Sequence, residues 1–138
     1  MSERSSHRDV RYSPGGKGYP IALAAAGINE ALAIVAGRWK SEILFALFDK
    51  SVLRFSELER AVAGITQKVL TQQLRELERD GMVVRAVHAA VPPRVEYRLT
   101  EIGQAICPAL DALLQWVQFR RDALAASDRD GRALQATD

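Results

Sequence analysis

Residues 64–103, GITQKVLTQQLRELERDGMVVRAVHAAVPPRVEYRLTEIG, place a helix, a two-stranded ribbon and a second helix in immediate succession. Thr66 is positioned to cap the first helix, and leucines at positions 70, 74 and 77 repeat with the spacing of one buried helical face. Two valine-rich runs, residues 82–88 and 94–99, flank a connection that contains two prolines and predict a hairpin. The sequence therefore predicts a winged helix-turn-helix, a mainly α fold with a small β-ribbon.

The face of this helix opposite the leucines is polar or cationic, and the sequence assigns no carboxylate to it. Glutamine and arginine can pair bidentately with adenine and guanine, and threonine can contact a base edge or a phosphate. These residue types predict a helix that lies in the major groove of DNA, whereas a solvated helix face is the alternative. The residues predicted to contact or approach the bases are Gln67, Lys68, Thr71, Gln72 and Arg75.

A second set of residues is predicted to hold the DNA backbone, a role that sets position and affinity without sequence information. Arg94, at the base of the hairpin, is the predicted wing cation for a minor groove or a phosphate, and a solvated strand-end arginine is its alternative. Ser56 with Glu59 also predicts a capping box for a helix over residues 57–62. The other predicted phosphate-binding residues are Thr66, Ser56, Arg54, Lys40 and Arg79.

Two further helices carry more apolar surface than one small domain needs. Residues 22–36 are apolar nearly all round, and after Thr100 the spacing of residues 106, 110, 113 and 117 predicts a coiled-coil-like seam. Pro108 is expected to kink or split this last helix, which should end near residue 123. The predicted dimer interface comprises Ile28, Leu32, Val35, Ile106, Leu110, Leu113 and Val117.

Between these two helices, a helix over residues 38–48 has a core stripe of Trp39, Ile43 and Leu47, with Lys40 expected on its outside. An apolar effector at the dimer interface is a further hypothesis, although a plain interface explains the same residues. The residues assigned to this effector pocket are Trp39, Trp116 and Phe119.

The composition predicts one domain with two tails. With 138 residues, 48% of them hydrophobic, the chain can bury a single core, and we expect an N-terminal arm over residues 1–20, a domain over residues 21–124 and a frayed tail over residues 125–138. A formal net charge of +2 means that any DNA affinity must come from where the cations lie. The most apolar stretch, residues 21–36, is too short and too interrupted to span a membrane.

The residues give little support for catalysis, a cofactor or a metal site. His7, His88 and Cys107 are isolated in the sequence and lack the spacing of a nucleophile with its base or of paired metal ligands. One cysteine excludes an intramolecular disulfide and fits a reducing cytoplasm. Cys107 itself is interpreted as a small buried hydrophobic residue, with a reactive sensor thiol as the alternative.

Five segments together resemble the HxlR-type transcriptional regulators, a bacterial winged-helix family similar in architecture to MarR-type regulators. They are GRWKSEIL at 37–44, RFSELERAV at 54–62, GITQKVLTQQLRELERDG at 64–81, VPPRVEYRLTEIG at 91–103, and Trp116. The resemblance covers residues 28–119 and implies a homodimeric, DNA-binding repressor or activator. Many members carry a sensor cysteine about thirteen residues before the motif tryptophan, but Ala26 occupies that place here.

The residues and the resemblance together predict a cytoplasmic regulator that binds double-stranded DNA as a homodimer on a pseudo-palindromic operator. Neither a membrane nor a cofactor enters this prediction. A winged-helix module that uses the same surface to bind a protein partner, with no operator, is the alternative.

Overall fold

The structure, a computed structural model, describes residues 20–136, so residues 1–19 of the predicted arm and residues 137–138 lie outside the described residues. The chain divides into two units, residues 1–37 and residues 38–138. No single helix in the described part is long and apolar enough to cross a lipid bilayer.

The described part of the first unit is one helix, α1, Ile21–Val35. It follows Pro20, and the main-chain N–H of Ala36 donates to the Leu32 carbonyl oxygen at its end. This confirms the helix expected over residues 22–36 to within one residue at each end. Its large exposed apolar side chains are Ile21, Leu23, Ile28 and Leu32.

The second unit is a winged helix-turn-helix, as expected. Its elements are α2 (Arg38–Lys50), β1 (Val52–Arg54), α3 (Phe55–Ala61), α4 (Gln67–Arg79), β2 (Val83–His88), β3 (Arg94–Leu99), α5 (Glu101–Ala105) and α6 (Cys107–Ala136). Strands β2 and β3 form the predicted hairpin, and the short strand β1 adds to β3 in the order β1-β3-β2, all antiparallel. The wing is thus the edge of a three-stranded sheet.

The core of this unit lies where helices α2, α3 and α4 meet the sheet. The three leucines predicted for α4 are buried, and Tyr97 and Leu99 cover them from strand β3 while Arg94 and Arg98 of that strand stay exposed. Burying a leucine side chain contributes about 1.5–3 kcal/mol, so this layer fixes the position of α4 against the sheet. The fully buried aliphatic residues are Ile43, Leu44, Leu47, Leu58, Val62, Leu70, Leu74 and Leu77.

Helix α4 is held at both ends by the residues that the sequence indicated. The Thr66 hydroxyl oxygen accepts a hydrogen bond from the Val69 N–H at 3.2 Å. At the other end Gly81 adopts φ +76°, a conformation that L side chains rarely adopt. The N–H groups of Gly81 and Met82 donate to carbonyl oxygens of the last helical turn, which is the hydrogen-bond pair of a Schellman motif.

The start of α3 differs from the prediction. The helix begins at Phe55, and the Glu57 carboxylate accepts a hydrogen bond from the main-chain N–H of Arg54 at 2.8 Å. The expected capping box of Ser56 and Glu59 is therefore wrong, because Ser56 already lies inside the first turn. A carboxylate one turn into the helix does the capping instead.

The C-terminal helix is split as expected but is longer. Thr100 caps the short helix α5 by accepting from the Gly103 N–H at 3.0 Å, and Ile106 separates α5 from α6, with Pro108 in the first turn of α6. Helix α6 then runs to Ala136. The expected end near residue 123 is wrong, and so is the frayed tail over residues 125–136.

Candidate nucleic-acid interface

Helix α4 presents the predicted base-contacting residues on one surface. Four of them, Gln67, Lys68, Gln72 and Arg75, are exposed, and Thr71 is half-buried between them. The same five residues line one shallow groove together with Glu76. Glu76 is the one residue of this groove that the sequence analysis missed, although its position four residues after Gln72 places it on the same side of the helix.

The Thr71 hydroxyl has a partner on its own helix. It donates to the Gln67 main-chain carbonyl oxygen at 2.8 Å, the bond that threonine often makes one turn back along a helix. Its hydrogen is therefore committed, and its methyl group and an oxygen lone pair remain to face a ligand.

Lys40 lies beneath this surface. Its Nζ atom donates to Glu76 Oε1 at 2.8 Å, and its side chain is only 11% exposed. The predicted outside position on α2 is therefore wrong, and we withdraw the phosphate-binding role, because the ammonium group is directed to a carboxylate of α4. A long aliphatic stem let a charged residue enter the core while its charge reached the edge.

The Glu76 carboxyl responds to this pairing. The hydrogen bond from Lys40 and the Lys40 charge hold the pKa of Glu76 below its ordinary value, against the opposing effect of burial. The side-chain amide of Gln72 and the charge of Arg79 act in the same direction. Glu76 is thus an ionised group within the candidate surface, with its charge balanced from the core side.

Three of the predicted backbone-binding residues come together at the wing. Arg54 and Ser56 at the start of α3 and Arg94 at the start of β3 line one groove with Pro92 and Pro93 at the hairpin tip. Arg54 and Arg94 are exposed. The groove therefore has two cations on facing walls, an arrangement suited to a phosphodiester.

The other two backbone-binding candidates lie apart from this groove. Thr66 is exposed at the start of α4 with its hydroxyl oxygen engaged in the cap. Arg79 lies at the opposite end of α4 and pairs with the neighbouring Asp80, Nε to Oδ1, at 3.3 Å. The structure does not bring these two residues together.

Arg85 is a cation that the sequence analysis missed. It lies on β2 and lines a groove with Arg75 and Glu78 of α4, over a floor that includes Phe55 and Tyr97. Alternation along β2 could have indicated it, because Val83 is buried and every second residue faces the same side. On the hairpin itself His88 Nε2 lies 2.6 Å from Glu96 Oε1.

The predicted dimer residues divide into exposed and covered ones. Ile28, Leu32 and Leu113 are 62%, 45% and 51% exposed, whereas Val35 and Leu110 are buried within the single chain. Ile106 and Val117 are half-buried. Helix α6 adds large exposed apolar side chains beyond the predicted seam, and these are Leu114, Trp116, Phe119 and Leu124.

The residues assigned to an effector pocket do not enclose one in the single chain. Trp116 and Phe119 are 58% and 68% exposed on α6. Trp39 is half-buried, and the Arg38 guanidinium lies 4.3 Å from its ring centroid. Walls for such a pocket would have to come from a second chain.

The chemistry-bearing residues outside these surfaces are scattered. Among residues 20–136 no group of three or more histidine, cysteine, aspartate or glutamate side chains could hold a metal ion. Cys107 is a half-buried free thiol at the start of α6.

Comparison with known proteins connects this geometry to a family. The model of the HxlR-like helix-turn-helix family matches residues 34–123. An HTH-type transcriptional regulator of Methanothermobacter thermautotrophicus is 49% identical over 89 residues, covering 64% of this chain and 67% of that protein. The HTH-type regulator YybR of Bacillus subtilis is 39% identical over 104 residues, covering 75% and 82%.

Two crystal structures have the same fold. A transcriptional regulator assigned to the MarR family from Enterococcus faecalis superposes with a TM-score of 0.69 at 40% identity, covering 79% of this chain and 96% of that one. The redox regulator HypR in its reduced form has a TM-score of 0.65 at 40% identity, covering 72% and 98%.

Proposed function

The chain belongs to the HxlR-like helix-turn-helix family of transcriptional regulators, and we propose that it acts as a homodimer that binds a pseudo-palindromic DNA operator. The observation that carries this proposal is the exposed surface of α4. Glutamine, lysine, threonine and arginine stand together on a helix whose opposite face is fixed to the core. These are the side chains that distinguish base pairs in a major groove.

In the proposed complex α4 lies in the major groove, with Gln67, Lys68, Thr71, Gln72 and Arg75 toward the bases. Arg54, Ser56 and Arg94 would hold the DNA backbone from the groove beside the wing, where the two arginines face each other. Thr66 and Arg79 would touch phosphates at the two ends of α4. Contacts of this second kind set the register of the protein on the duplex.

Dimerisation is supported by the exposed apolar side chains of α1 and α6. Leu113, Leu114, Trp116 and Phe119 lie within two turns of α6, and an apolar patch of this size marks an interaction site more often than a free surface. A two-fold pair of chains would bury it and would place two copies of α4 in successive major grooves. This role beside the chromosome would locate the protein in the cytoplasm.

A small-molecule effector is the second part of the proposal. An apolar compound at the interface between two chains would contact Trp39, Trp116 and Phe119, two of which are exposed in the single chain. Such a ligand would act by favouring one arrangement of the two subunits over another.

The test is selection of bound sequences from a random duplex pool, followed by titration at several salt concentrations. A regulator should enrich one inverted repeat, and its affinity should fall with a log–log slope of several ions, because each phosphate contact releases counterions. A winged-helix module for protein partners, the competing hypothesis, should enrich no sequence. The absence of any enriched sequence together with a slope near zero would reject the proposal.

A further inference from the structure

Lys40, Glu76 and Gln72 form a connected series of polar side chains that runs from the core to the candidate DNA surface. Lys40 Nζ lies 2.8 Å from Glu76 Oε1, and the Glu76 carboxyl also interacts with the side-chain amide of Gln72. Exposure rises along the series, from 11% for the Lys40 side chain to 27% for that of Glu76, while Gln72 is exposed. The series therefore starts where solvent is excluded and ends at a predicted base contact.

A carboxylate on this surface needs an explanation, because DNA phosphates repel it. Without a partner beneath it, Glu76 would be free to pair with the guanidinium of Arg79, whose charge already acts on it. That competing pair would remove a cation from the phosphates. The nearly buried ammonium of Lys40 requires a partner in turn, so each charge holds the other in place.

The ionised carboxylate also determines how the Gln72 amide is oriented. A carboxylate only accepts hydrogen bonds, so the amide nitrogen of Gln72, and not its oxygen, must face Glu76. One N–H is then directed to Glu76, and the second N–H and the carbonyl oxygen remain for a neighbouring group. That remaining pair matches the N7 acceptor and the N6 donor of adenine in the major groove.

We infer that Lys40 is a positioning residue which, through Glu76, fixes the side-chain amide of Gln72 and thereby the base preference at the operator position that Gln72 contacts. The inference rests on the proposed function. Lys40 itself touches no DNA in this arrangement, and its effect passes entirely through α4.

The test compares Lys40→Met, Lys40→Arg, Glu76→Gln and Gln72→Ala on the operator selected by the wild-type protein and on its single-base variants. Methionine keeps the length and the buried stem of Lys40 without its charge. We expect Lys40→Met and Glu76→Gln to reduce discrimination by about fivefold or more at the same base pair as Gln72→Ala, since a good bidentate pair is worth at least about 1 kcal/mol. Lys40→Arg, which keeps the charge, should restore most of the preference.

The double variant Lys40→Met with Gln72→Ala should discriminate at that base pair no worse than Gln72→Ala alone, because the two changes remove one contact. A uniform loss on all duplexes would assign Lys40 a purely structural role and overturn the inference, and so would an unchanged preference. If Lys40→Met fails to fold, the partly exposed Glu76→Gln decides. If the wild-type protein prefers no sequence, the proposed function has failed, an outcome that a wild-type preference insensitive to Lys40 does not resemble.

Discussion

Gly103 lies so close to the main-chain carbonyl oxygen of Met82 that no side chain fits between them. The same oxygen accepts hydrogen bonds from the N–H of Thr100 at 3.0 Å and from its hydroxyl at 3.2 Å, and that hydroxyl also donates to the Gly81 carbonyl oxygen. The turn that ends α4 is thus fastened to the start of α5. The helix that carries the candidate base contacts and the segment that leads into α6 share one rigid junction.

Gly103→Ala should destabilise the protein by about 1–3 kcal/mol, the usual penalty of overpacking. The added Cβ would meet backbone rather than a side-chain tip, and that backbone is held by Thr100. Urea unfolding of the two proteins measures the difference. Gly131→Ala in α6 is the control, because nothing lies within 4 Å of its Cβ and helix propensity favours alanine by up to about 1 kcal/mol. Equal stability of Gly103→Ala and the wild type would contradict the clash.

The Lys40–Glu76 ion pair should make stability depend on acid pH. The pKa of Glu76 is lowered in the folded state, so its stabilising contribution is complete above its unfolded pKa of about 4.3 and is lost as pH falls through the lower folded value. Thermal melts of the wild type and Glu76→Gln should therefore differ most near neutral pH. Below about pH 4 the gap should narrow, because a protonated Glu76 leaves Lys40 as poorly paired as glutamine does.

Glu42→Gln is the matched control for this pH experiment. Glu42 makes an exposed ion pair with Arg38 at 3.9 Å on the same helix as Lys40, and such a pair contributes little. Its melting curve should follow that of the wild type at every pH. A gap between the wild type and Glu76→Gln that stays constant from neutral pH to about pH 3 would show that the pair does not titrate in this way.

Arg75→Ala should separate a base contact from a phosphate contact. Loss of a bidentate pair with guanine should weaken operator binding by about 1–3 kcal/mol and relax the preference at one position in each half-site. Arg54→Ala should weaken the operator and a scrambled duplex alike and should reduce the salt slope by about one. Titration of both variants on both duplexes decides, and equal losses for Arg75→Ala would remove it from the base-contacting set.

Leu113→Glu should convert the proposed dimer into monomers. Leu113 is 51% exposed in the single chain, and burying an unpaired carboxylate there should raise the dissociation constant by about thirtyfold or more, equivalent to about 2 kcal/mol. Sedimentation velocity measures the state. Gln118→Glu on the polar side of α6, beside Asp122, carries the same charge change and should remain dimeric. A wild-type protein that sediments as a monomer at micromolar concentration would rule out the dimer.

Diamide should not release this protein from its operator by disulfide chemistry. Cys107 is the only cysteine, and its half-buried thiol lies at the start of α6, away from the α4 surface. Operator binding by the wild type and by Cys107→Ser should be equal with and without diamide, and non-reducing gels should show the monomer band. Loss of binding in the treated wild type alone, reversed by dithiothreitol, would make Cys107 a sensor.

The parts of the fold that the sequence predicted are those coded by neighbouring residues. The Thr66 cap, the Gly81 ending, the hairpin and the break at Pro108 each depend on a few consecutive positions with strong backbone preferences. The surface of α4 followed from them, because once both ends and the leucine stripe are known, the remaining side is determined.

The features that the sequence did not predict depend on distant residues or on weak patterns. Periodicity assigns a lysine to solvent, and only the partner 36 positions away on α4 explains why Lys40 turns inward. The extension of α6 to Ala136 lacks an apolar stripe, although the Arg132–Asp128 pair at 3.0 Å has the i,i+4 spacing that supports an exposed helix. The division of the predicted seam into buried and exposed residues required the packed chain.

Because α4 is closed at both ends, by Thr66 and by Gly81, its backbone is already helical before any duplex arrives. Only side chains such as Gln67, Lys68 and Arg75 would lose freedom on binding, at about 0.5–1.5 kcal/mol each. Operator binding should then show a heat-capacity change proportional to the surface buried, without the larger change that accompanies folding upon binding. Operators that differ by one base pair should differ in the lifetime of the complex far more than in its rate of formation.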